Sequence, residues 1–175
     1  MNFSLDKTIE VLERTPSTYK TLFQDLSRDW VYANEGENTW SPFDIVGHLI
    51  HGEKTDWIPR ATIILTKGTA QKFEVFDRFA QGKVSAGKTM NQLLEEFSAL
   101  RHQNLQTLKS WQLSESDLEK TGMHPDDSIG LVTLQQLLAT WTIHDLNHLH
   151  QASRVMVKHY GKEIGPWKAY SNIIK

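Results

Sequence analysis

The segment Thr142–Gln151 reads TIHDLNHLHQ and holds three histidines within seven residues. On a helix turning about 100° per residue, Leu134, Leu137, Leu138, Trp141, Ala152, Val155 and Met156 line up as one apolar stripe. That stripe is about 110° wide, as expected of a core-facing surface. His144 and His148 fall within it or at its edge and stand four residues apart, so they project from the same side, one turn above the other. His150 points away, towards solvent. A buried imidazole costs free energy unless its nitrogens find partners. Two that can reach one point share an explanation in a single divalent cation, because neutral imidazole is a favoured ligand for zinc and nickel.

A third ligand is on offer in IVGHLIHG. His48 lies on one face with Ile45, Leu49 and Gly52, and Gly52 leaves room for another helix to come close. His51 is about 60° further round, towards Lys54 and Arg60. It is a conceivable ligand, but the flanking Ile45 and Leu49 favour His48. His102 sits opposite the apolar face of its segment, and His124 and His159 sit in a loop or near a helix end; these are read as ordinary polar residues. The chain has no cysteine, so a metal must be held by His, Asp or Glu, and the protein has no thiol nucleophile of its own. Three imidazoles leave coordination positions open, the arrangement of a catalytic site. Such an ion lowers the pKa of bound water or deprotonates a coordinated thiol that arrives with a small molecule. HDLNH also invites comparison with the H-E-x-x-H of metalloproteases. Its acid is one methylene shorter and no further ligand follows at the right spacing, so that reading is set aside.

Four long segments must position these residues. The first runs from about Ser4 to Tyr32, with Leu5, Ile9, Leu12, Tyr19, Leu22, Phe23, Leu26 and Trp30 at helical spacing and a kink or break expected at Pro16. The second starts at Ser41, an N-cap followed by Pro42 and by Asp44 in a capping-box position, and bends at Pro59 before ATIIL. Residues 67–88 lose the period and read as a packed loop. The third helix runs from about Thr89 to Trp111, with Leu93, Phe97, Leu100, Leu108 and Trp111 on one face. TGMHPDDSIG is a loop. The fourth helix opens with the capping box TLQQ at Thr133 and ends near Tyr160. No strand pattern of useful length is present. The economical arrangement is a single all-α domain over 1–175, a four-helix bundle with a long crossover connection between helices 2 and 3.

The totals agree with that class. Hydrophobic residues at 39% and charged residues at 23% are globular values. A formal charge of −2 with no basic block argues against nucleic acid or an anionic membrane as partner. No apolar run is long enough to span a bilayer and no signal segment opens the chain, so the expected location is cytoplasmic.

WSPFDIVGHLIH in the second segment, together with WTIHDLNHLHQ in the fourth, resembles the DinB/YfiT-like superfamily. The opening ERTP and the closing GPWKAY extend the likeness over nearly the whole chain. The resemblance implies a metal triad of His48, His144 and His148 holding zinc, nickel or a similar divalent ion at one end of the bundle, and a homodimer. Members include transferases that use bacillithiol or mycothiol and a mycothiol-dependent maleylpyruvate isomerase; the family name implies no DNA chemistry. The expected function is therefore transfer of a low-molecular-weight thiol to a small electrophile. Metal-dependent hydrolysis of the YfiT type is the enzymatic alternative, and a non-catalytic metal-binding stress-response module is the other. Gln151 is expected to touch a ligand from the metal face. Arg78, in the FDRF segment that folds over the site, is expected to hold a carboxylate of the co-substrate. Asp145 and Asn147 read as polar residues on a solvated flank, and Glu53 and Trp57 as core contacts.

Overall fold

The protein, described for residues 2–173 in a computed structural model, is built on four long helical segments. These are α1 (Leu5–Phe23), α3 (Pro42–Thr55) continued by α4 (Trp57–Thr66), α6 (Met90–Ser110) and α8 (Leu134–His159). Short helices α2 (Arg28–Val31), α5 (Gln81–Ser85) and α7 (Glu115–Leu118) and two 3-10 turns fill the connections. α1 packs against α6 and α8, and α3 packs against α6 and α8, so α6 and α8 face each other across the diagonal. The expected bundle and its long connection between the second and third helical segments are present. No helix among the described residues is long and apolar enough to cross a membrane.

The caps predicted from sequence form. Ser41 with Asp44, Thr89 with Gln92, and Thr133 with Gln136 each make a capping box, with side chain and backbone bonded in both directions. Three other expectations are corrected. Pro16 does not break α1, which runs on to Phe23. Proline cannot donate to the Leu12 carbonyl, and that oxygen instead accepts from Arg101 Nη1 at 2.9 Å and Thr15 Oγ1 at 3.2 Å. The break falls at Asp25, held at φ 59° by hydrogen bonds with the Asn91 side chain. The second segment breaks at Asp56, three residues before Pro59, because a proline ring clashes with the carbonyl four residues back in a continuous helix. Restarting at Trp57 puts Pro59 in the first turn of α4, where it is tolerated.

The loop read at TGMHPDDSIG is a β-hairpin. β1 (Thr121–Met123) and β2 (Leu131–Thr133) pair antiparallel with Gly122 opposite Val132. Strands of three residues are too short to show a period of two. Gly122 lets the hairpin lie flat on α4, since a Cβ there would come within 2.8 Å of Ile64 and Phe73.

The core falls into two apolar clusters. One gathers Leu12, Trp57, Ile64, Leu105, Leu138 and Trp141, and the other Tyr19, Ile45, Leu49, Leu94, Phe97 and Ala152. A polar layer separates them. Arg101 of α6, 1% exposed, donates to Glu53 of α3, to Asp145 of α8, and to Leu12 O and Thr15 Oγ1 of α1. Glu53 also accepts from Trp141 Nε1 and Asn104 Nδ2. Every long segment thus contributes to one buried network, which sets their relative heights and hence those of the histidines on α3 and α8.

Candidate metal centre

His48 lies mid-way along α3, and His144 and His148 lie one turn apart on α8. The direct α3–α8 packing brings them together: one ring nitrogen from each of the three lies within 4.8 Å of the others. His48 Nε2 and His144 Nε2 are 3.0 Å apart. The close helical approach near His48 occurs at Gly47 rather than at the expected Gly52. A Cβ on Gly47 would meet Ser85 Oγ at 2.2 Å, so α5 presses directly on α3 there, while Gly52 faces the Trp57 ring. His51 lies outside the group, its ring against Phe76. Aromatic rings fix the imidazoles: Trp40 lies 4.7 Å from His48 and 6.0 Å from His148, and Trp57 lies 5.1 Å from His144. Trp57 is in turn stacked on the fully buried Trp141.

The electrostatics keep all three rings neutral near pH 7. Burial, reinforced by the neighbouring imidazoles, pushes His48 down to about 3 and His144 down to about 2. Burial also lowers His148, against the opposing pull of Gln151 and Asp145. Neutral imidazole is the ligating form. His148 Nδ1 lies 2.8 Å from Gln151 Oε1; that oxygen accepts, so the proton sits on Nδ1 and Nε2 carries the free lone pair. Gln151 therefore orients the His148 ring, and it also lines the cleft, on the side where a ligand contact is expected of it.

As a hydrogen-bonded set the three rings are incomplete. His48 Nδ1 and His144 Nδ1 are buried without a partner, and a contact between two neutral Nε2 atoms uses only one proton. The donor set suits a divalent ion: tetrahedral zinc at about 2.0–2.1 Å from each nitrogen sets its ligands about 3.3–3.4 Å apart, close to the spacing of His48 and His144.

The rings form the floor of a cleft of about 1030 Å³. Phe76 sets its edge against His48 at 5.3 Å, and Phe76, Arg78 and Phe79 all line the cleft, so the FDRF segment folds over the site as expected. Arg78 is exposed and, among the described residues, makes no ion pair. Arg60 pairs with Asp56 at 2.9 Å and Arg154 with Glu35 at 2.6 Å. Asn147 is exposed and lines the cleft. Asp145 is not on a solvated flank: it is 0% exposed and bound to Arg101. Glu53 and Trp57 are core contacts, as expected. His124, read as an ordinary loop residue, lines the far end of the cleft beside Phe73. Asp56 also lines the cleft, and burial pushes its carboxyl up to about 6 against the pull of Arg60. Its sequence signal was its place three residues before Pro59, where α3 had to end.

A profile of the DinB superfamily matches residues 11–152. The chain belongs to the DinB superfamily. Among solved structures the fold is similar to YfiT from Bacillus subtilis, described as "a probable metal-dependent hydrolase with an unusual four-helix bundle topology". The TM-score is 0.76 at 19% identity, and 90% of each chain is covered. At that identity the likeness concerns the fold, including the four-helix topology. A search of curated protein sequences finds no match.

Proposed function

We propose that this DinB-superfamily protein is a divalent-metal-dependent enzyme that transfers a low-molecular-weight thiol, of the bacillithiol type, to a small electrophile. One observation carries the reading: three neutral imidazoles turn ring nitrogens to one point on the floor of an open cleft. His48, His144 and His148 are the ligands, and zinc or nickel is the ion that suits them. When bound, such an ion supplies Lewis acidity sufficient to ionise a coordinated thiol or water. Gln151 holds the His148 proton on Nδ1 and so keeps Nε2 turned to the ion. Trp40, Trp57 and Phe76 exclude water around the rings. Arg78, at the rim without a competing carboxylate, receives an anionic group of the co-substrate. A cleft of about 1030 Å³ is at the upper end of the range for small-molecule sites and accommodates two reactants.

Hydrolysis is the second reading, favoured by Asp56. A carboxyl in the same cleft, pushed up to about 6, suits general acid–base work near neutral pH. The likeness to YfiT, itself described as a probable metal-dependent hydrolase, supports it too. The opening of the cleft to solvent speaks against a sealed, non-catalytic metal store. The test supplies the zinc- or nickel-loaded protein with bacillithiol and a chromogenic electrophile, and in parallel with an ester and an amide, and follows thiol consumption and hydrolysis. Thiol consumption that disappears in His148→Ala is expected. Hydrolysis without thiol consumption, equally lost in His148→Ala, selects the second reading. Wild-type rates equal to those of the variant in every assay refute both.

A further inference from the structure

The cleft runs past the imidazoles in both directions. Its wall on α8 is a single stripe, Leu137, Thr140, His144, His148, Gln151 and Arg154, at helical steps of three and four. At about 1.5 Å per residue, Leu137 lies about 10 Å from His144 on one side and Arg154 about 9 Å from His148 on the other. The two arms differ in chemistry. The arm towards the C-terminus of α8 is polar, lined by Glu35, Asn38, Thr39, Gln151 and Arg154, and its guanidinium is already engaged by Glu35 at 2.6 Å. The arm towards the N-terminus is walled by Phe73, Ile129, Val132 and Leu137. Ile129 is 53% exposed there, apolar surface left bare inside a cleft. Apolar walls with a few polar groups set among them are the make-up of a small-molecule site.

The polar groups of the apolar arm are Arg60 and His124, both against the same ring. The Arg60 guanidinium lies over Phe73 with Cζ 5.5 Å from the ring centroid, and the His124 ring stands perpendicular to Phe73 at 6.3 Å. Arg60 is only 9% exposed, yet its N–H groups are sparsely used. Nη2 reaches Asp56 at 2.9 Å and the Glu74 carbonyl at 3.4 Å, and Nε has no partner among the described residues. Arg101, also buried, shows what a guanidinium of this protein holds when it is complete: two carboxylates, a carbonyl and a hydroxyl. Arg60 lacks the second carboxylate. His124 Nδ1 accepts the backbone N–H of Asp126 at 3.0 Å, so the proton of the neutral ring sits on Nε2, a donor that meets no acceptor among the described residues.

We propose that this arm binds a carboxylate carried on an apolar body and, resting on the reading of the cleft as the meeting place of a thiol and an electrophile, that this ligand is the electrophile. Arg60 and His124 receive the carboxylate. The body lies along Phe73, Ile129, Val132 and Leu137, and an arm of about 10 Å brings the other end of an aryl or acyl ligand to the imidazoles. The polar arm is left to the hydrophilic thiol. A carboxylate suits the place better than a phosphate, because Asp56 already offsets part of the Arg60 charge and opposes a second negative charge on the ligand. The subsite is built on α4 and the hairpin, apart from Arg78 on the FDRF segment.

Calorimetric titration with phenylbutyrate tests the arm, using the protein as purified and again after chelation of metal, since a carboxylate also ligates an ion. Saturable binding is expected, with phenylbutyramide and phenylbutylphosphonate each weaker by about tenfold or more. His124→Phe should weaken phenylbutyrate about tenfold and Arg60→Met by more, with the circular dichroism spectrum and the affinity for the amide unchanged. Should Arg60→Met fail to fold, His124→Phe decides alone. Arg154→Met, in the polar arm, should bind phenylbutyrate as the wild type does. Absence of saturable binding overturns the proposal, as do equal affinities for acid and amide, a preference for the phosphonate, or a loss in Arg154→Met but not in His124→Phe. A variant effect that vanishes after chelation overturns it too, because the carboxylate then sits on the ion. Failure of these titrations leaves the metal and thiol chemistry standing, whereas a protein that discriminates acid from amide but transfers no thiol keeps the subsite and loses that reading.

Discussion

The interior of the bundle holds two polar places at neighbouring levels, and they are finished differently. In the layer around Arg101, the guanidinium donates to two carboxylates, a carbonyl and a hydroxyl, and the carboxylates collect further donors from Trp141, Asn104 and Thr15. The three-imidazole group turns one nitrogen of each ring towards the others, with the Nε2 atoms of His48 and His144 3.0 Å apart and no more than one proton between them, and it opens to a cleft. A buried network with its donors and acceptors paired specifies how helices meet. Ring nitrogens that converge beside an open cavity with too few protons to bond one another are poised for a cation to complete them. The contrast separates the part of the polar interior that holds the fold from the part that could hold a metal ion.

Removing Arg101 breaks the finished half most severely. Arg101→Met leaves Glu53 and Asp145 buried without their cation, and a loss of about 3–5 kcal/mol in urea unfolding is expected. Replacing all three with apolar residues of similar volume should recover much of that loss, as the carboxylates then no longer need a partner. A triple variant no more stable than Arg101→Met would show that the layer acts through packing alone.

Asp56 gives a smaller effect with a definite sign. Its carboxyl goes from 3.8 when unfolded to about 6 in the fold. A raised folded pKa gives stability that is complete below about 3.8 and is lost as pH rises through about 6. Between pH 4 and 7 this group alone should therefore lower unfolding free energy by on the order of 2 kcal/mol. Comparing wild type with Asp56→Asn isolates it: the variant should lack that decline. Parallel curves for the two proteins would contradict the burial assigned to this carboxyl.

The smallest expected change sharpens the open half. Gln151→Ala frees the His148 ring without touching the finished layer. Metal affinity should fall about 10–100-fold, with stability in the absence of metal unchanged within about 0.5 kcal/mol. Unchanged affinity would remove Gln151 from the positioning role.

Much of the open half was legible in the chain. Spacing of four placed His144 and His148 on one face, the flanking Ile45 and Leu49 selected His48 over His51, and the capping boxes marked where the helices begin. The finished half was less visible. Arg101 lies four residues after Phe97 and four before Leu105, and Asp145 lies four after Trp141, so their place in the apolar stripes was there to be read. Their charge argued for solvent, and only partners 44 and 48 residues away reverse that. The break at Asp25 likewise depends on Asn91, 66 residues distant. His124 reaches the cleft only because a hairpin of three-residue strands folds onto α4, a pairing too short to leave a pattern.

Elemental analysis joined to titration of metal-free protein tests the central claim most directly. Wild type should bind about one divalent ion per chain, His48→Ala and His148→Ala should lose it, and His51→Ala should keep it. A wild type that takes up no zinc or nickel, or a His48→Ala variant that retains the ion, would contradict the account.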